Sequence, residues 1–528
     1  MMHWPRSLRA RGGRDQCVCN TPPMQYRSLA VYRARDLLYA ALDAPHPRYP
    51  LSGPLGWLVI LPLLLLSGGE LLAQRPTLIR NVIVVDIEAG KTGELTSILI
   101  RGDSIAAVGS ELQRPVNART LDADGAYAIP GLWDSHVHVF STPDEPSFAL
   151  PLYLLHGVTG IRDMGALWSI DAQLALRDSI EAGDVLGPRI IVSGAWVDAP
   201  PGSWPGMFLA DSPAAAKSVV DTIAEQGWAA VKAYSMLDRE TYLALAQAAG
   251  HHGLRLVGHV PESVELSTAI AAGQTGVEHF GRVTKACATQ EAEMVAELRR
   301  ALLDGEEQAR VFERMAGHNR TTLESWDEEV CDATLEQMAR NGVHVSPTLV
   351  VADFYTGNWP SPDAPRMQTV PAGVRAAWGE PDFRLEAMTD EVRALADSSI
   401  ALDRATFRRA HRAGVPILAA TDASFANPYL FHGSSHIDEL DLYVEAGLTP
   451  REAIYSATVA PAEFFALPDQ DGTLRPGRRA DIVLVADNPL ESLSALRSPV
   501  AVIAGGRVLD RSRLHQMESE LRDAANRR

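Results

Sequence analysis

Short apolar runs rich in β-branched residues stand at both ends of the chain after Gln74, with turn residues between them. The runs are Thr77–Asp86, Ser97–Arg101, Ser104–Val108, Asp481–Ala486 and Val500–Val508. Runs of this length bounded by Gly and Asp predict β-strands. Because strands lie at both ends and a different pattern lies between them, we expect a small β-sandwich domain. It would be built from residues 75–127 and 466–515, with residues 516–528 as a tail.

The middle of the chain alternates apolar β-rich runs with helical patterns. Eight such runs occupy or end at residues 135–138, 157–163, 189–197, 229–235, 254–260, 276–280, 343–351 and 415–423. Alternating strands and helices favour a parallel sheet, and eight repeats predict a closed (β/α)8 barrel of the TIM type. We place this α/β barrel at residues 128–465, with helical insertions near 282–341 and 353–395 that cover its mouth.

One apolar run precedes the predicted domains. Leu55–Leu66 reads LGWLVILPLLLL and is followed by small residues and by Ala73. The run is shorter than the roughly 20 residues needed to span a bilayer, and it resembles the apolar part of a secretory signal. Residues 1–74 are therefore predicted to be a targeting segment cleaved near Ala73. The exported protein would be periplasmic or extracellular, and an uncleaved membrane anchor is the alternative.

The charge and the cysteine content limit the classes of protein to which the chain can belong. The 528 residues carry a formal net charge of −18, which argues against a nucleic-acid partner because phosphate binding requires a basic surface. Cys17 and Cys19 lie in the targeting segment, whereas Cys287 and Cys331 could pair, a question that sequence separation leaves open. The cysteines lack metal-ligand spacing, so any metal must be bound by histidines and carboxylates.

Histidines and one aspartate collect at the predicted carboxyl ends of the barrel strands. His136 and His138 are spaced by two, which places both rings on the same side of a strand. His259, His279 and Asp422 end the fifth, sixth and eighth runs. Active sites of (β/α)8 barrels are built at this end, and imidazoles with carboxylates are ligands for divalent metals. The positions predict a metal site.

Lys232 lies late in the fourth apolar run, where an isolated ammonium group would be costly. A neutral lysine amine can take up carbon dioxide and become a carbamate, whose two oxygens could bridge two metals. The alternative is a salt bridge between Lys232 and a neighbouring carboxylate. Tyr234 shares the face of Lys232 by strand alternation and is expected to face the same site.

In this order, the residues named above resemble the metal site of the amidohydrolase superfamily. The chain after Gln74 is most similar to the imidazolonepropionase-like branch, which includes dipeptidases, prolidase-like enzymes and ochratoxin-hydrolysing amidases. Further similar tracts are residues 157–164, 436–453 and 472–483.

This resemblance implies two divalent metal ions, and the expected metal is zinc. His136, His138 and Asp422 would hold the more buried ion, His259 and His279 the more exposed ion, and carbamylated Lys232 would bridge them. Asp422 would also move the proton during catalysis. In mononuclear relatives a carboxylate three residues after the fifth-strand histidine replaces the lysine, and Glu262 occupies that place here. Glu262 is therefore a candidate catalytic residue or a residue that supports a metal ligand. Tyr234 is a further candidate by its strand face, and His436 is one because it is expected in the loop after Asp422, with Glu439 one turn on.

The resulting functional hypothesis is a hydrolase that cleaves a carbon–nitrogen bond with a metal-activated hydroxide. The expected substrate is a small amide or peptide, such as a dipeptide or an N-acyl amino acid. One alternative is a cyclic amide or lactam hydrolase of the imidazolonepropionase type, and another is a catalytically silent binding barrel. A homo-oligomer is compatible with the sequence.

Overall fold

The computed structural model describes residues 75–526, apart from residues 358, 381, 383, 384, 386–389 and 468. The predicted targeting segment, with its cleavage position at Ala73 and with Cys17 and Cys19, lies outside the described residues. Within the described part, no helix combines the length and the apolar character needed to cross a membrane.

The secondary structure follows the expected division into strand-rich ends and an alternating middle. The strands are β1 (Thr77–Asp86), β2 (Lys91–Arg101), β3 (Ser104–Gly109), β4 (Arg119–Asp122), β5 (Tyr127–Pro130), β6 (Leu132–Val137), β7 (Val158–Asp163), β8 (Arg189–Val192), β9 (Ala195–Asp198), β10 (Phe208–Leu209), β11 (Ala230–Ala233), β12 (Arg255–Gly258), β13 (Gly276–Glu278), β14 (His344–Ser346), β15 (Ile482–Val485), β16 (Ala501–Ala504) and β17 (Arg507–Asp510).

The α-helices connect or follow these strands. They are α1 (Glu145–Leu155), α2 (Ile170–Glu181), α3 (Pro213–Gln226), α4 (Arg239–His251), α5 (Leu266–Ala271), α6 (Gly281–Ala286), α7 (Glu291–Leu303), α8 (Gln308–Ser325), α9 (Glu328–Arg340), α10 (Ala352–Thr356), α11 (Ala372–Trp378), α12 (Asp390–Arg412), α13 (Ser434–Glu445), α14 (Pro450–Ser456), α15 (Val459–Phe464) and α16 (Arg511–Ala525).

The two ends of the chain form one sheet. Its strand order is β17-β16-β15-β5-β1-β2-β3, with β4 paired to β1, and the ends join where β15 runs antiparallel to β5. Alternate side chains of these strands form an apolar core that belongs to the sheet. It includes Ile79, Ile98, Ile482 and Ile503. All these strands belong to one hydrogen-bonded sheet, so a sandwich of two facing layers stays a prediction. Most of the predicted tail, residues 516–528, belongs to α16. This helix is held on the protein by its buried residues Leu514, Met517 and Leu521.

The middle strands form a ring of eight parallel positions. Strands β6, β7 and β8 pair in that order. Strands β8 and β9 are consecutive segments of the third position, because the Val192 carbonyl accepts the N–H of Ala229 just before β11, which pairs with β9. Strand β11 also pairs with β12, and β13 pairs with β14. Single bridges join β12 to residue 274, β14 to residue 417 and β6 to residue 423, which closes the ring. The architecture is therefore an α/β barrel of the TIM type.

The seventh and eighth positions are shorter than the sequence predicts. Residues 343–351 form a strand only over His344–Ser346, because Thr348 has a left-handed backbone (φ 49°) and Leu349–Val351 form a 3-10 helix. The N–H groups of Leu349 and Val350 donate to the buried Glu439 carboxylate (2.9 and 2.6 Å), which caps this turn. Residues 415–423 are joined to the barrel by isolated bridges and hydrogen bonds and form no regular strand.

The predicted insertion near 282–341 consists of α6 to α9, and a disulfide ties it together. Cys287, directly after α6, is bonded to Cys331 in α9, and both residues are fully buried. The pairing that the sequence left open is therefore formed in the structure. It anchors the insertion close to the end of β13, where His279 lies.

Candidate metal centre

All six predicted metal ligands lie at the carboxyl end of the barrel. His136 is the penultimate residue of β6, and Lys232 is the penultimate residue of β11. His259 and His279 directly follow β12 and β13. Asp422 precedes the bridge that closes the ring against β6. The barrel thus brings side chains that are spread over nearly 300 residues of sequence into one cluster.

Three of these side chains form a compact triangle. His136 Nε2 and His138 Nε2 are 3.3 Å apart, and Asp422 Oδ1 lies 3.4 and 3.2 Å from them. Two ligands of a tetrahedral zinc ion, each about 2.0–2.1 Å from the metal, stand about 3.3–3.4 Å apart. The three atoms therefore have the spacing of one face of a tetrahedral site, and the residues fit a divalent metal. His136, His279 and Asp422 form an overlapping set whose ligand atoms all lie within 4.8 Å of one another.

Each of the four histidines is held through Nδ1, which turns Nε2 toward the cluster. The Nδ1 partners are Glu278 Oε2 for His136 (2.8 Å), Gly165 O for His138 (2.8 Å), Ser235 Oγ for His259 (2.7 Å) and Thr348 Oγ1 for His279 (2.8 Å). A carboxylate and a carbonyl only accept, so His136 and His138 donate from Nδ1, and in a neutral ring this leaves the lone pair on Nε2 for a metal. Burial lowers the pKa of His136, His259 and His279, which keeps these rings neutral, the form that binds metals.

A buried ion pair stands behind His136. Arg162 Nη2 donates to Glu278 Oε1 (2.8 Å), and the other Glu278 oxygen receives the His136 Nδ1–H. Arg162 also donates to the carbonyl of Ser135 and to Ser346 Oγ (2.5 and 3.2 Å). Arg162 and Glu278 are both buried, so neither charged side chain can reach water by changing its rotamer. The pair fixes the orientation of the His136 ring.

Asp422 is oriented by its backbone and by one amide. Its backbone is left-handed (φ 61°), and its N–H donates to the His136 carbonyl (2.8 Å). Asn427 Nδ2 donates to Asp422 Oδ2 (2.9 Å), which leaves Oδ1 facing the two imidazoles. The buried Asp134 carboxylate accepts the N–H and the hydroxyl of Thr421 (3.1 and 2.6 Å) and so fixes the residue before Asp422. One carboxylate oxygen is thus committed to the cluster.

Lys232 is buried among the ligands, and the described residues provide no counter-ion for it. Its Nζ lies 3.4 Å from His136 Nε2, and no carboxylate of the described residues lies within 4.0 Å of it. The rings of Trp196 and Tyr234 flank the ammonium at 5.6 and 5.8 Å. Burial lowers the pKa of Lys232 to about 8. The salt bridge considered as the alternative for this lysine is therefore not formed within the described part of the chain.

The remaining candidates occupy different places. Tyr234 stacks on His259, with ring centroids 4.2 Å apart, and therefore borders the cluster. Glu262 pairs with Lys285 Nζ (2.7 Å). His436 lies in α13, fully buried, with Nδ1 3.8 Å from Asp134 Oδ2, and neither ring nitrogen has a hydrogen-bond partner in the described residues. The structure thus places Tyr234 at the cluster, Glu262 in an ion pair and His436 behind Asp134, closed to solvent.

Several positioning residues were missed in the sequence. Arg162 and Glu278 carried a signal, because a charged residue inside an otherwise apolar strand requires a buried partner. Asn427 carried none, since it lies on a loop and its contact to Asp422 depends on the loop conformation. Ser235 and Thr348 are likewise ordinary polar residues whose role depends on the histidine that each one faces.

Comparisons with known proteins identify the family and the fold of the chain. The sequence profile of the amidohydrolase family matches residues 127–509. A bottromycin amidohydrolase of known structure is 24% identical, with a TM-score of 0.65, over 86% of this chain and 91% of that chain. A Xaa-Pro dipeptidase with bound methionine in its active site is 21% identical, with a TM-score of 0.58, over 82% of this chain and 100% of the other. At such identities these structures show a shared fold.

A curated relative matches over a shorter segment. A deacetylase of Agrobacterium fabrum is 47% identical over 68 residues, which are 13% of this chain and 17% of the deacetylase. The chain therefore spans less than a fifth of the length of this relative, and the likeness is local.

Proposed function

The chain belongs to the amidohydrolase family, and we propose that it hydrolyses the amide or peptide bond of a small substrate at the cluster described above. The observation that carries the proposal is the triangle of His136 Nε2, His138 Nε2 and Asp422 Oδ1, with edges of 3.2–3.4 Å. A bound divalent metal lowers the pKa of its water toward 7 and polarises the substrate carbonyl. The class of substrates proposed includes dipeptides and N-acyl amino acids.

Asp422 is the proposed proton carrier. Its Oδ2 is held by Asn427, and its Oδ1 faces the imidazoles, so the carboxylate is fixed beside the position that a metal and the attacking water would share. General acid–base catalysis requires a carboxylate within hydrogen-bond reach of the proton that it accepts. We propose that the Asp422 carboxylate accepts the proton of the attacking water and delivers it to the leaving nitrogen.

We propose that the site holds two zinc ions and that Lys232 is carbamylated. Two features support this proposal. Lys232 lies beside His136 and has no carboxylate partner in the part of the chain that the structure describes, and His259 and His279 add two imidazoles at the same end of the barrel. Imidazole and carboxylate ligands suit zinc. A carbamate on Lys232 Nζ would replace a buried positive charge with an anion among ligands for cations.

Metal-dependent release of amine from a panel of amides tests the proposed function. Enzyme stripped with a chelator and reloaded with zinc should generate a new free amino group from at least one member of a set of dipeptides, N-acyl amino acids and lactams, the lactams by ring opening. His138→Asn should lose both zinc, measured by elemental mass spectrometry, and amine release. His252→Asn is the matched control, because His252 is a surface residue paired with Asp221 (2.7 Å). Zinc-loaded enzyme that hydrolyses no amide in the panel would contradict the proposal.

We further propose that the protein is exported. The disulfide between Cys287 and Cys331 supports this proposal, because disulfides persist in oxidising compartments and are rare in the cytosol. Fractionation of producing cells with intact-mass analysis should recover a chain that begins near Gln74 outside the cytosol. Full-length protein in the cytosolic fraction would contradict export.

A further inference from the structure

A cavity of about 520 Å³ lies outside the metal cluster. It is bounded by α1, α11, α16 and the loop of residues 423–433, and none of the described residues that line it is a predicted metal ligand. Its wall includes the buried apolar side chains of Val370, Val374, Trp378 and Phe431, which belong to one hydrophobic cluster. Binding sites for small molecules are mostly apolar pockets of about 300–1,000 Å³, so the cavity has the size and the lining of such a site.

His156 brings an imidazole without a protein partner to this cavity. The residue directly follows α1, and its ring nitrogens form no hydrogen bond within the described part of the chain. A Cβ on Gly433 would lie 3.0 Å from the His156 ring, so the loop packs directly on the imidazole. Burial lowers the pKa of His156 to about 4, and the neutral ring offers one donor and one acceptor. Polar groups in such surroundings normally have a hydrogen-bond partner, so we expect the cavity to admit a polar group.

The charged residues on the lining are mostly cationic. Three arginines and one glutamate line the cavity, namely Arg366, Arg497, Arg511 and Glu518. Arg366 and Arg497 are paired with aspartates of α13 at 2.5–2.9 Å. Glu518 is paired with Arg522 at 2.5 Å. Arg511 is exposed, and no carboxylate of the described residues lies within 4.0 Å of its guanidinium, so one positive charge is available to an anionic ligand.

The loop that lines the cavity also orients Asp422. Asn427 in this loop donates to Asp422 Oδ2 (2.9 Å). Phe425 and His432 of the same loop line the cavity. The buried Glu145 Oε1 accepts the Phe425 N–H (2.7 Å) and lies 3.2 Å from His432 Nε2, so α1 holds the cavity side of the loop at two points. A ligand that binds only this loop conformation therefore stabilises it.

We propose that the cavity is a second ligand site, which binds a medium-chain aliphatic carboxylate and stabilises the loop that orients Asp422. The apolar wall favours an aliphatic chain, because methylene groups gain free energy on leaving water. A carboxylate accepts hydrogen bonds from guanidinium groups and from neutral imidazoles. Arg511 and His156 offer one donor of each kind, and neither has a competing side-chain partner among the described residues. The inference goes beyond the proposed function, because it concerns a site separate from the metal cluster.

Three small molecules test the contributions of the charge and of the chain. Octanoate, octanamide and butanoate are titrated calorimetrically into the full chain, both zinc-loaded and stripped with a chelator. Octanoate should bind both forms with dissociation constants within about threefold of each other. Octanamide keeps the chain without the charge and should bind about three- to fivefold more weakly, the upper part of the range for an exposed ion pair. Butanoate should bind at least about tenfold more weakly, because it lacks four methylene groups that the wall would bury.

Variants assign the binding to the cavity. Val374→Trp fills the cavity and should abolish octanoate binding, and a wild-type zinc content of this variant shows that it folds. Arg511→Gln, a surface change, should make octanoate and octanamide bind equally. Arg513→Gln is the matched control and should keep the preference for octanoate, because Arg513 lies on the same helix, is paired with Glu520 (3.2 Å) and does not line the cavity. Octanoate should also slow amide hydrogen exchange in peptides from residues 423–433 of the wild type, and have no such effect in Val374→Trp.

Three outcomes would overturn the inference. Octanoate that binds only the zinc-loaded enzyme would be bound at the metal instead of in the cavity. Equal affinities of the wild type for octanoate and octanamide would exclude recognition of the charge. Equal affinities of Val374→Trp and the wild type for octanoate would exclude the cavity. None of these measurements depends on amide hydrolysis, so failure of the proposed function would be seen separately, in the amide panel.

Discussion

Replacing Glu278 by glutamine should weaken metal binding although Glu278 is not a ligand. The carboxylate receives the Nδ1–H of His136 through one oxygen and the Arg162 guanidinium through the other, each at 2.8 Å. Glutamine keeps the shape, removes the charge and offers only one acceptor. Loss of a partner of this kind behind a ligating histidine typically weakens metal affinity by about 10–100-fold, which corresponds to about 1.4–2.7 kcal/mol.

The same change should destabilise the metal-free protein. Arg162 is 1% exposed and would lose its only ion-pair partner among the described residues, and breaking a buried pair costs about 3–5 kcal/mol. Because the glutamine oxygen can still accept one Arg162 hydrogen bond, we expect about 3 kcal/mol, the lower end of that range. Competition with a chromophoric zinc chelator measures the affinity, and urea unfolding of metal-free enzyme measures the stability.

The control for this experiment is Glu262→Gln. Glu262 is also paired with a buried cation, Lys285, but no metal ligand contacts its carboxylate. We expect that variant to lose stability and to keep its zinc affinity. A zinc dissociation constant for Glu278→Gln within about threefold of wild type, below the range expected for such a partner, would refute the positioning role of Glu278.

The remaining predictions concern the proton carrier, the lysine, the disulfide and one buried histidine. Asp422→Asn should lose about 10²–10⁴-fold in kcat while retaining much of its metal by elemental analysis, and turnover above about a tenth of wild type would exclude the proton-carrying role. Lys232→Ala should reduce the zinc content from about two ions to about one, whereas an unchanged content would exclude a bridging carbamate. Replacing Cys287 and Cys331 by serine opens a loop with a sequence separation of 44 and should lower the free energy of unfolding by about 4 kcal/mol, as measured by urea titration. Equal urea midpoints for the variant and the wild type would show that the bond does not restrain the unfolded chain. Burial lowers the pKa of His436 to about 3, below its unfolded value of about 6.5, so its contribution to stability is present above pH 6.5 and lost as the pH falls. Between pH 7 and pH 5, the free energy of unfolding of metal-free His436→Phe should therefore fall by about 2 kcal/mol less than that of the metal-free wild type. Parallel pH profiles of the two proteins would contradict this assignment.

Local sequence patterns were sufficient to predict the barrel and the candidate ligands. The spacing of two between His136 and His138 determines that both rings leave the strand on one side. The alternation of apolar strands with helices determines that the strands run parallel, and parallel strands end on one face of a barrel. His259, His279 and Asp422 could therefore be assigned to one site before any distance was known.

Contacts between distant segments were decided only by the tertiary structure. The Arg162–Glu278 pair joins residues 116 positions apart, and the His136–Glu278 contact joins residues 142 apart. The disulfide, the capping of the 3-10 turn by Glu439 and the closed position of His436 behind Asp134 are of the same kind. Periodicity determines which face of a strand or helix a side chain occupies, but not which side chain of another element lies opposite it. That choice depends on strand register and loop conformation, which the packing of the whole barrel sets.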